Sequence, residues 1–176
     1  MKRNFLTLEI FNFNLEDYLK DLFSAKTSLR IRFVFKRQIS ISTGNVVPLS
    51  KDDYHFFLNF RLSLGQREWD GMREYFEANS DMGYFMARMV NGIPVSMTDP
   101  PGMPFIPDMV QEIGINTLPD YRNIGYAKEV VSACISKIIA DNKCPMWSCD
   151  ANNHASERLA YSVGFKKLCD EYSIVL

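Results

Sequence analysis

Hydrophobic and polar residues change their spacing several times along this chain, and each change predicts an element. From Phe5 to Phe13, Leu6, Leu8 and Ile10 alternate with Thr7 and Glu9, the period of a half-buried strand. Asn14 with Asp17 three residues on is a start signal, and Leu15, Tyr18, Leu19, Leu22 and Phe23 then form a helical stripe. Leu29 to Phe35, LRIRFVF, is rich in the branched and aromatic residues of strands; Ile39 to Ser42 extends it or pairs with it before Thr43-Gly44-Asn45 turns the chain. Ser50 with Asp53 reads as a capping box opening a helix whose Tyr54, Phe57 and Leu58 share a face. Gly65 ends or interrupts that helix, and Trp69, Met72 and Phe76 mark a second.

Tyr84 to Val90 and Ile93 to Thr98 are two strands joined at Asn91-Gly92, a strong signal for a tight hairpin. The segment from Asp99 to Asp108 holds four prolines and one glycine, which excludes regular structure and predicts a stiff surface loop of the kind that shapes substrate pockets. Val110 to Asn116 is a strand. From Asn123, the positions Ala127, Val130, Val131, Cys134 and Ile138 build an amphipathic helix to about Asp141. Met146 to Cys149 is a short strand and Asn153 to Val163 a helix with Leu159, Ala160 and Val163 inward. Phe165 onward gives one or two closing strands. The order predicts an α/β or α+β fold with a sheet of mixed direction. No repeat or linker divides it, so one domain spanning 1–176 is expected.

Composition narrows the function. An apolar share of 47% in 176 residues suffices for a sizeable core without metal or disulfide staples. Twenty basic against twenty-one acidic side chains leave a formal charge of -1, so nothing overall favours nucleic acid or an anionic membrane as partner. The four cysteines, Cys134, Cys144, Cys149 and Cys169, form no C-x-x-C pair, and His55 and His154 lie far apart, so no zinc spacing arises and no metal is expected. They read as buried, reduced thiols. The opening residues lack the apolar run and cleavage site of a leader, and no segment is long enough to cross a bilayer; a soluble, cytoplasmic protein is expected.

The chemistry is concentrated in QEIGINTLPDYRNIGYA, Gln111 to Ala127, an apolar strand that breaks at a proline and turns through a glycine-bearing loop into the long helix. A helix starting there leaves its first amides unpaired, which with the helix dipole suits a phosphate; Gly125 lets the backbone come close and Arg122 adds a charge. The plain alternative is a solvated turn. Pro119 donates to no ladder and biases Leu118 toward extended geometry, so neighbouring strands can part there. Downstream, Asn153 with Ser156 is an ordinary helix N-cap pattern, followed by Leu159-Ala160 and Gly164-Phe165.

Taken together, Arg122-x-x-Gly125-x-Ala127, the motif after Asn153, CPMWSC at Cys144 to Cys149 and DANNHAS at Asp150 to Ser156 resemble the GNAT family of acetyl-CoA-dependent N-acetyltransferases, and one bacterial branch of it in particular. The resemblance covers roughly Met82 to Cys169. It implies a mixed, mostly antiparallel central sheet flanked by helices, with acetyl-CoA lying in a cleft between two splayed strands, that ending at Asn116 and that from Met146 to Cys149. Asn116, Thr117 and Leu118 would bond the pantetheine arm. Arg122, Asn123, Ile124, Gly125, Tyr126 and Ala127 would hold the pyrophosphate, and Asn153 with Ser156 would flank the thioester. Residues 1–80 would build the acceptor side.

The implied activity is transfer of acetyl to a primary amine of a small molecule or peptide, by direct attack in a ternary complex. The alternative is an inactive acyl-CoA sensor or interaction module; a monomer and a homodimer both fit. Glu112 is the candidate base, with the competing role of an ion-paired strand residue, and Asp150 the second candidate, with the competing role of a cap; His154 is a third. Many relatives place an acidic tyrosine seven residues after the asparagine. Here that position is Ala160 and the tyrosine is Tyr161, about 100° further round the helix. Tyr161 is thus a candidate acid or a packing residue, and Cys149 reads as a buried structural thiol.

Overall fold

A computed structural model describes residues 26–37, 39–101 and 108–175. The expected strand at Phe5 to Phe13, the helix after Asn14 and most of the Pro-rich loop lie outside them. Eight strands and four α-helices are described: β1 Lys26–Phe35, β2 Val46–Pro48, α1 Tyr54–Ser63, α2 Met72–Ser80, β3 Met86–Val90, β4 Ile93–Asp99, β5 Val110–Glu112, β6 Gly114–Thr117, α3 Tyr126–Ala140, β7 Cys144–Asp150, α4 His154–Ser162 and β8 Phe165–Val175. The strands form two four-stranded sheets, in the orders β5-β7-β1-β8 and β2-β3-β4-β6. Every pairing is antiparallel except β5 with β7. This is the mixed, mostly antiparallel α+β architecture expected.

Local signals explain most boundaries. Ser50 and Asp53 form the capping box, and a short 3-10 turn over Lys51–Asp53 leads into α1. Asn91 and Gly92 both take positive φ, 50° and 79°, as the hairpin between β3 and β4 requires. Asn153 caps α4, its Oδ1 accepting from the Ser156 amide at 3.1 Å.

Several expectations are corrected. Trp69 precedes α2 and is 41% exposed, since its ring covers the Arg61 guanidinium instead of entering the core. Residues 39–42 form no strand. The strand expected from Val110 to Asn116 divides at Ile113 between the two sheets, and α3 starts at Tyr126, three residues later than its apolar stripe suggested, because Asn123 and Gly125 take positive φ. Cys144 and Cys169 are exposed and only Cys134 and Cys149 are buried, because alternation along β7 and β8 turns the first two outward.

Two cores result. One lies between α3, α4 and one face of the strands, and gathers Ile31, Phe33, Val131, Cys134, Trp147 and Phe165. The other packs Phe57, Phe60 and Phe76 of α1 and α2 against Phe85, Ala87 and Met97. Period-2 alternation lets β3 and the residues before it serve both: Tyr84 and Met86 face α3, Phe85 and Ala87 face α1. Phe76 alone, fully buried and stacked on Phe57 at 4.8 Å, contributes about 2 to 3 kcal/mol by transfer from water. β1 fills the slot between β7 and β8, so among the described residues β8 joins its sheet through β1 alone.

Candidate active site

The parting of strands expected at Pro119 begins earlier. β5 runs parallel to β7 with Glu112 beside Met146, and the Ile113 amide still reaches the Met146 carbonyl at 3.0 Å. From Gly114 the chain pairs with β4 instead. Gly114 is needed at the crossing: a Cβ there would sit 2.4 Å from the Asp99 carbonyl oxygen. Beyond it, β6 and β7 are not paired among the described residues, and a gap opens.

Successive amides of a strand point to opposite sides. The Ile113 amide points to β7 and the Leu118 amide to β4, where Val95 accepts it at 2.9 Å. Ile115 and Thr117 therefore turn their amides into the gap, and Asn116 turns its own toward β4. The Leu118 carbonyl is also engaged, by the Tyr121 amide at 2.9 Å.

Pro119–Tyr121 then makes one 3-10 turn. Asn123 and Gly125 follow with φ of 63° and 99°, the latter a conformation glycine adopts without strain. The first α3 bonds are those of Lys128 and Glu129 to the Gly125 carbonyl, 3.0 and 3.2 Å. The amides of Asn123, Ile124, Gly125, Tyr126 and Ala127 have no partner among the described residues, and nothing lies within 4 Å of a Cβ built on Gly125. Arg122 is tethered to the strand end, its Nε donating to the Thr117 carbonyl at 3.0 Å. Tyr126 is held from beneath: the Arg88 guanidinium lies 4.7 Å from its ring and pairs with Glu129 at 3.4 Å. The loop is thus tied at both ends, open at its amides and, among the described residues, without a carboxylate bonded there.

On the sheet face away from α3 and α4, the candidate carboxylates meet. Glu112 Oε1 accepts from Ser148 Oγ, Ser148 Oγ accepts from Arg30 Nη2 at 2.6 Å, and Arg30 lies 3.9 Å from Asp150. Asp150 is the more exposed of the two acids, and its carbonyl accepts from the Asn153 amide at 2.9 Å. Across the sheet, Ser156 Oγ accepts from Trp147 Nε1 at 3.1 Å. Tyr161 stands on α4 with its ring edge-on to Phe33 at 5.4 Å and its hydroxyl donating to Glu157 at 3.3 Å. No described contact joins it to Glu112 or Asp150. His154 is exposed, 3.6 Å from Glu157. Burial pushes the Cys149 thiol upward, against the effect of the Ser156 hydrogen bond, so it is a poor nucleophile.

Three residues that the sequence does not single out, within segments it marks, meet at the end of β4. Asp99 accepts from Arg61 Nη1 and from the Tyr75 hydroxyl, both at 2.7 Å. Burial, and then the charge of Asp99, raise the Tyr75 hydroxyl well above the ordinary phenol range, so it stays a donor. The Arg61 guanidinium lies over two rings, 4.7 Å from that of Trp69 and 5.5 Å from that of Phe57. Arg61 Nε and Gln66 Oε1, unpaired among the described residues, border a cavity of about 10 Å³ that also touches Asn116, the size of one water. Residues 38 positions apart carry no short-range signal of such a contact.

Among the described residues no cluster of His, Cys, Asp and Glu could hold a metal ion, and no helix is long and apolar enough to cross a membrane.

This architecture, strands parting beside a glycine-led helix start, is that of the GNAT fold. A GNAT-family structure from Novosphingobium aromaticivorans aligns with 85% of this chain and 64% of its own at a TM-score of 0.69 and 19% identity. The Salmonella typhimurium protein yncA, solved with its cofactor acetyl-CoA, aligns with 69% of this chain and 78% of its own at a TM-score of 0.56 and 17% identity. The uncharacterized N-acetyltransferase YdfB of Bacillus subtilis (strain 168) is 38% identical over 63 residues, 36% of this chain and 24% of that protein. The GNAT acetyltransferase family model matches residues 58–175, more than half of the chain. The chain belongs to the GNAT acetyltransferase family. It spans less than two thirds of the length of the Bacillus and Novosphingobium relatives.

Proposed function

We propose that this protein transfers acetyl from acetyl-CoA to a primary amine of a small molecule or peptide by direct attack in a ternary complex. The observation that carries the reading is the row of unpartnered amides from Asn123 to Ala127 at the mouth of the gap between β6 and β7. Converging N–H groups at a helix start, with its dipole behind them, favour a diphosphate. Asn123, Ile124, Gly125, Tyr126 and Ala127 hold the pyrophosphate, and Arg122 adds charge beside it. The backbone of Ile115, Asn116 and Thr117, up to Leu118, lines the pantetheine arm, with the gap-facing amides of Ile115 and Thr117 as donors. Asn153 and Ser156 flank the far side of the gap.

Bound acetyl-CoA supplies an activated thioester. The chain must then strip the acceptor amine of its extra proton and hold it close; orientation of this kind supplies about 7 to 11 kcal/mol of barrier reduction. Glu112 takes the proton, directly or through a water, with Asp150 the second candidate. The face bearing Arg61, Asp99 and Tyr75 receives the acceptor, with residues 1–80 contributing to that side of a single domain. Tyr161 is turned to Glu157, which favours departure of the thiolate without a dedicated tyrosine acid.

Thermal shift with acetyl-CoA followed by thiol release on an amine panel tests this. Ligand at about 100 times its Kd adds about 2.7 kcal/mol of apparent stability. That corresponds to a rise of roughly 5 to 11 °C for a domain of this size. No shift excludes the nucleotide site, and a shift without thiol release on any amine leaves the sensor reading in its place.

A further inference from the structure

Ser148 stands in the middle of β7 between Trp147 and Cys149, both buried in the core under α3 and α4. Alternation sends its own side chain to the opposite face, where it meets two strands at once. From β1, Arg30 Nη2 donates to Ser148 Oγ at 2.6 Å. A guanidinium has only donors, so the serine oxygen must accept, and its single proton is left for another partner. That partner is Glu112 Oε1 on β5. Hydrogen-bond direction is therefore fixed along the row, Arg30 to Ser148 to Glu112, and the row ends at a carboxylate held as an acceptor. Glu112 Oε2 has no partner among the described residues, and Glu112 lies at the closed end of the gap, two residues before β6 turns away.

We infer that Ser148 and Arg30 are positioning residues for Glu112: they occupy one carboxylate oxygen and leave Oε2 as the single basic atom facing the acceptor. The inference rests on the reading of Glu112 as base. In the step itself, one proton leaves the acceptor ammonium for Glu112 Oε2, directly or through a water. The Ser148 and Arg30 protons stay where they are, and the Arg30 cation balances the Glu112 anion through the hydroxyl between them. Arg30 lies outside the residues the family model matches, 58–175, so β1 does more than fill a slot in the sheet. It carries a side chain that the site needs.

The test is steady-state kinetics of the full chain with acetyl-CoA and an amine found on the panel, for Ser148→Ala, Ser148→Thr, Arg30→Gln, Arg30→Lys and Glu112→Gln, each checked by thermal shift with acetyl-CoA. Ser148→Ala and Arg30→Gln should lower kcat about tenfold or more, the effect of losing one hydrogen bond to a charged group, with the KM for acetyl-CoA unchanged. Ser148→Thr, which keeps the hydroxyl, and Arg30→Lys, which keeps a cationic donor where Gln offers only a shorter, neutral one, should recover most of the loss. In the Glu112→Gln background neither Ser148→Ala nor Arg30→Gln should lower kcat further, because both act through that carboxylate. Wild-type kcat in Ser148→Ala, or losses that multiply in the Glu112→Gln background, would overturn the positioning role alone. Unchanged kcat in Glu112→Gln would instead remove Glu112 as base, and the positioning role with it.

Discussion

Gly114 joins fold and function at one atom, so Gly114→Ala is the most informative single change. The new methyl would lie 2.4 Å from the Asp99 carbonyl oxygen and 3.4 Å from its carbonyl carbon. Both are backbone atoms of a paired strand, so no side chain can swing away. To restore ordinary contact, at 3.4 to 4 Å, β4 and β6 must separate by about 1 to 1.6 Å at the crossing between sheets. Forcing a group into packed backbone costs typically about 1 to 3 kcal/mol. For a domain of this size that lowers Tm by roughly 2 to 12 °C.

The displacement also moves Asp99, which holds Arg61 and Tyr75, and shifts Glu112 relative to the gap. A misplacement of about 1 Å can lower a rate about 100-fold. Gly65→Ala is the control: its φ of +74° is unfavourable for alanine, but nothing lies within 4 Å of the new methyl, so no strand has to move aside. It costs about 1 to 2 kcal/mol and should leave turnover intact. Melting curves and acetyl-CoA turnover of the two variants decide. A Gly114→Ala protein with unchanged Tm and turnover refutes the crossing argument, as does an equal loss of turnover in both.

Other consequences are open to measurement. Asn153→Ala removes the acceptor for the Ser156 amide and should cost about 1 kcal/mol of stability by urea denaturation, while an unchanged midpoint refutes the cap. Burial pushes the Cys134 thiol up to about 12 and raises the Tyr75 and Tyr84 hydroxyls above 10.0, so the unfolded chain loses these protons first. Stability should therefore hold below about pH 9 and fall as pH rises from there toward 12; a urea midpoint equal at pH 8 and pH 10.5 contradicts it. Native alkylation followed by mass spectrometry should label Cys144 and Cys169 quickly and leave Cys134 protected. Tyr75→Phe should raise the KM for the acceptor while leaving that for acetyl-CoA unchanged, since among the described residues the hydroxyl it removes bonds Asp99 and Pro100, on the face proposed to receive the acceptor.

What could be read from the chain was what local physics decides. The capping box at Ser50, the Asn91-Gly92 turn, the Asn153 cap and the stripe of α3 each depend on residues within a few positions, and each stands where expected. The start of α3 lies later than its pattern suggests because a stripe of apolar residues does not report backbone dihedrals, and Asn123 and Gly125 hold the loop open for three residues more. The division of the central strand at Ile113 depends on which neighbour each half finds, β7 or β4, and no periodicity encodes that. The same holds for β1 entering between β7 and β8.

The candidate site divides in the same way. Its glycine-led loop is a contiguous motif and was legible. The Arg61, Asp99 and Tyr75 cluster and the Arg30, Ser148 and Glu112 row join residues up to 118 positions apart, which only the fold brings together.

Amide NMR bears most directly on the central claim. With the chain labelled in nitrogen-15, titration with CoA should move the Asn123 to Ala127 amides most, saturably, with smaller shifts at Ile115 and Thr117. Those amides left in place while CoA is added to saturating levels would contradict the account.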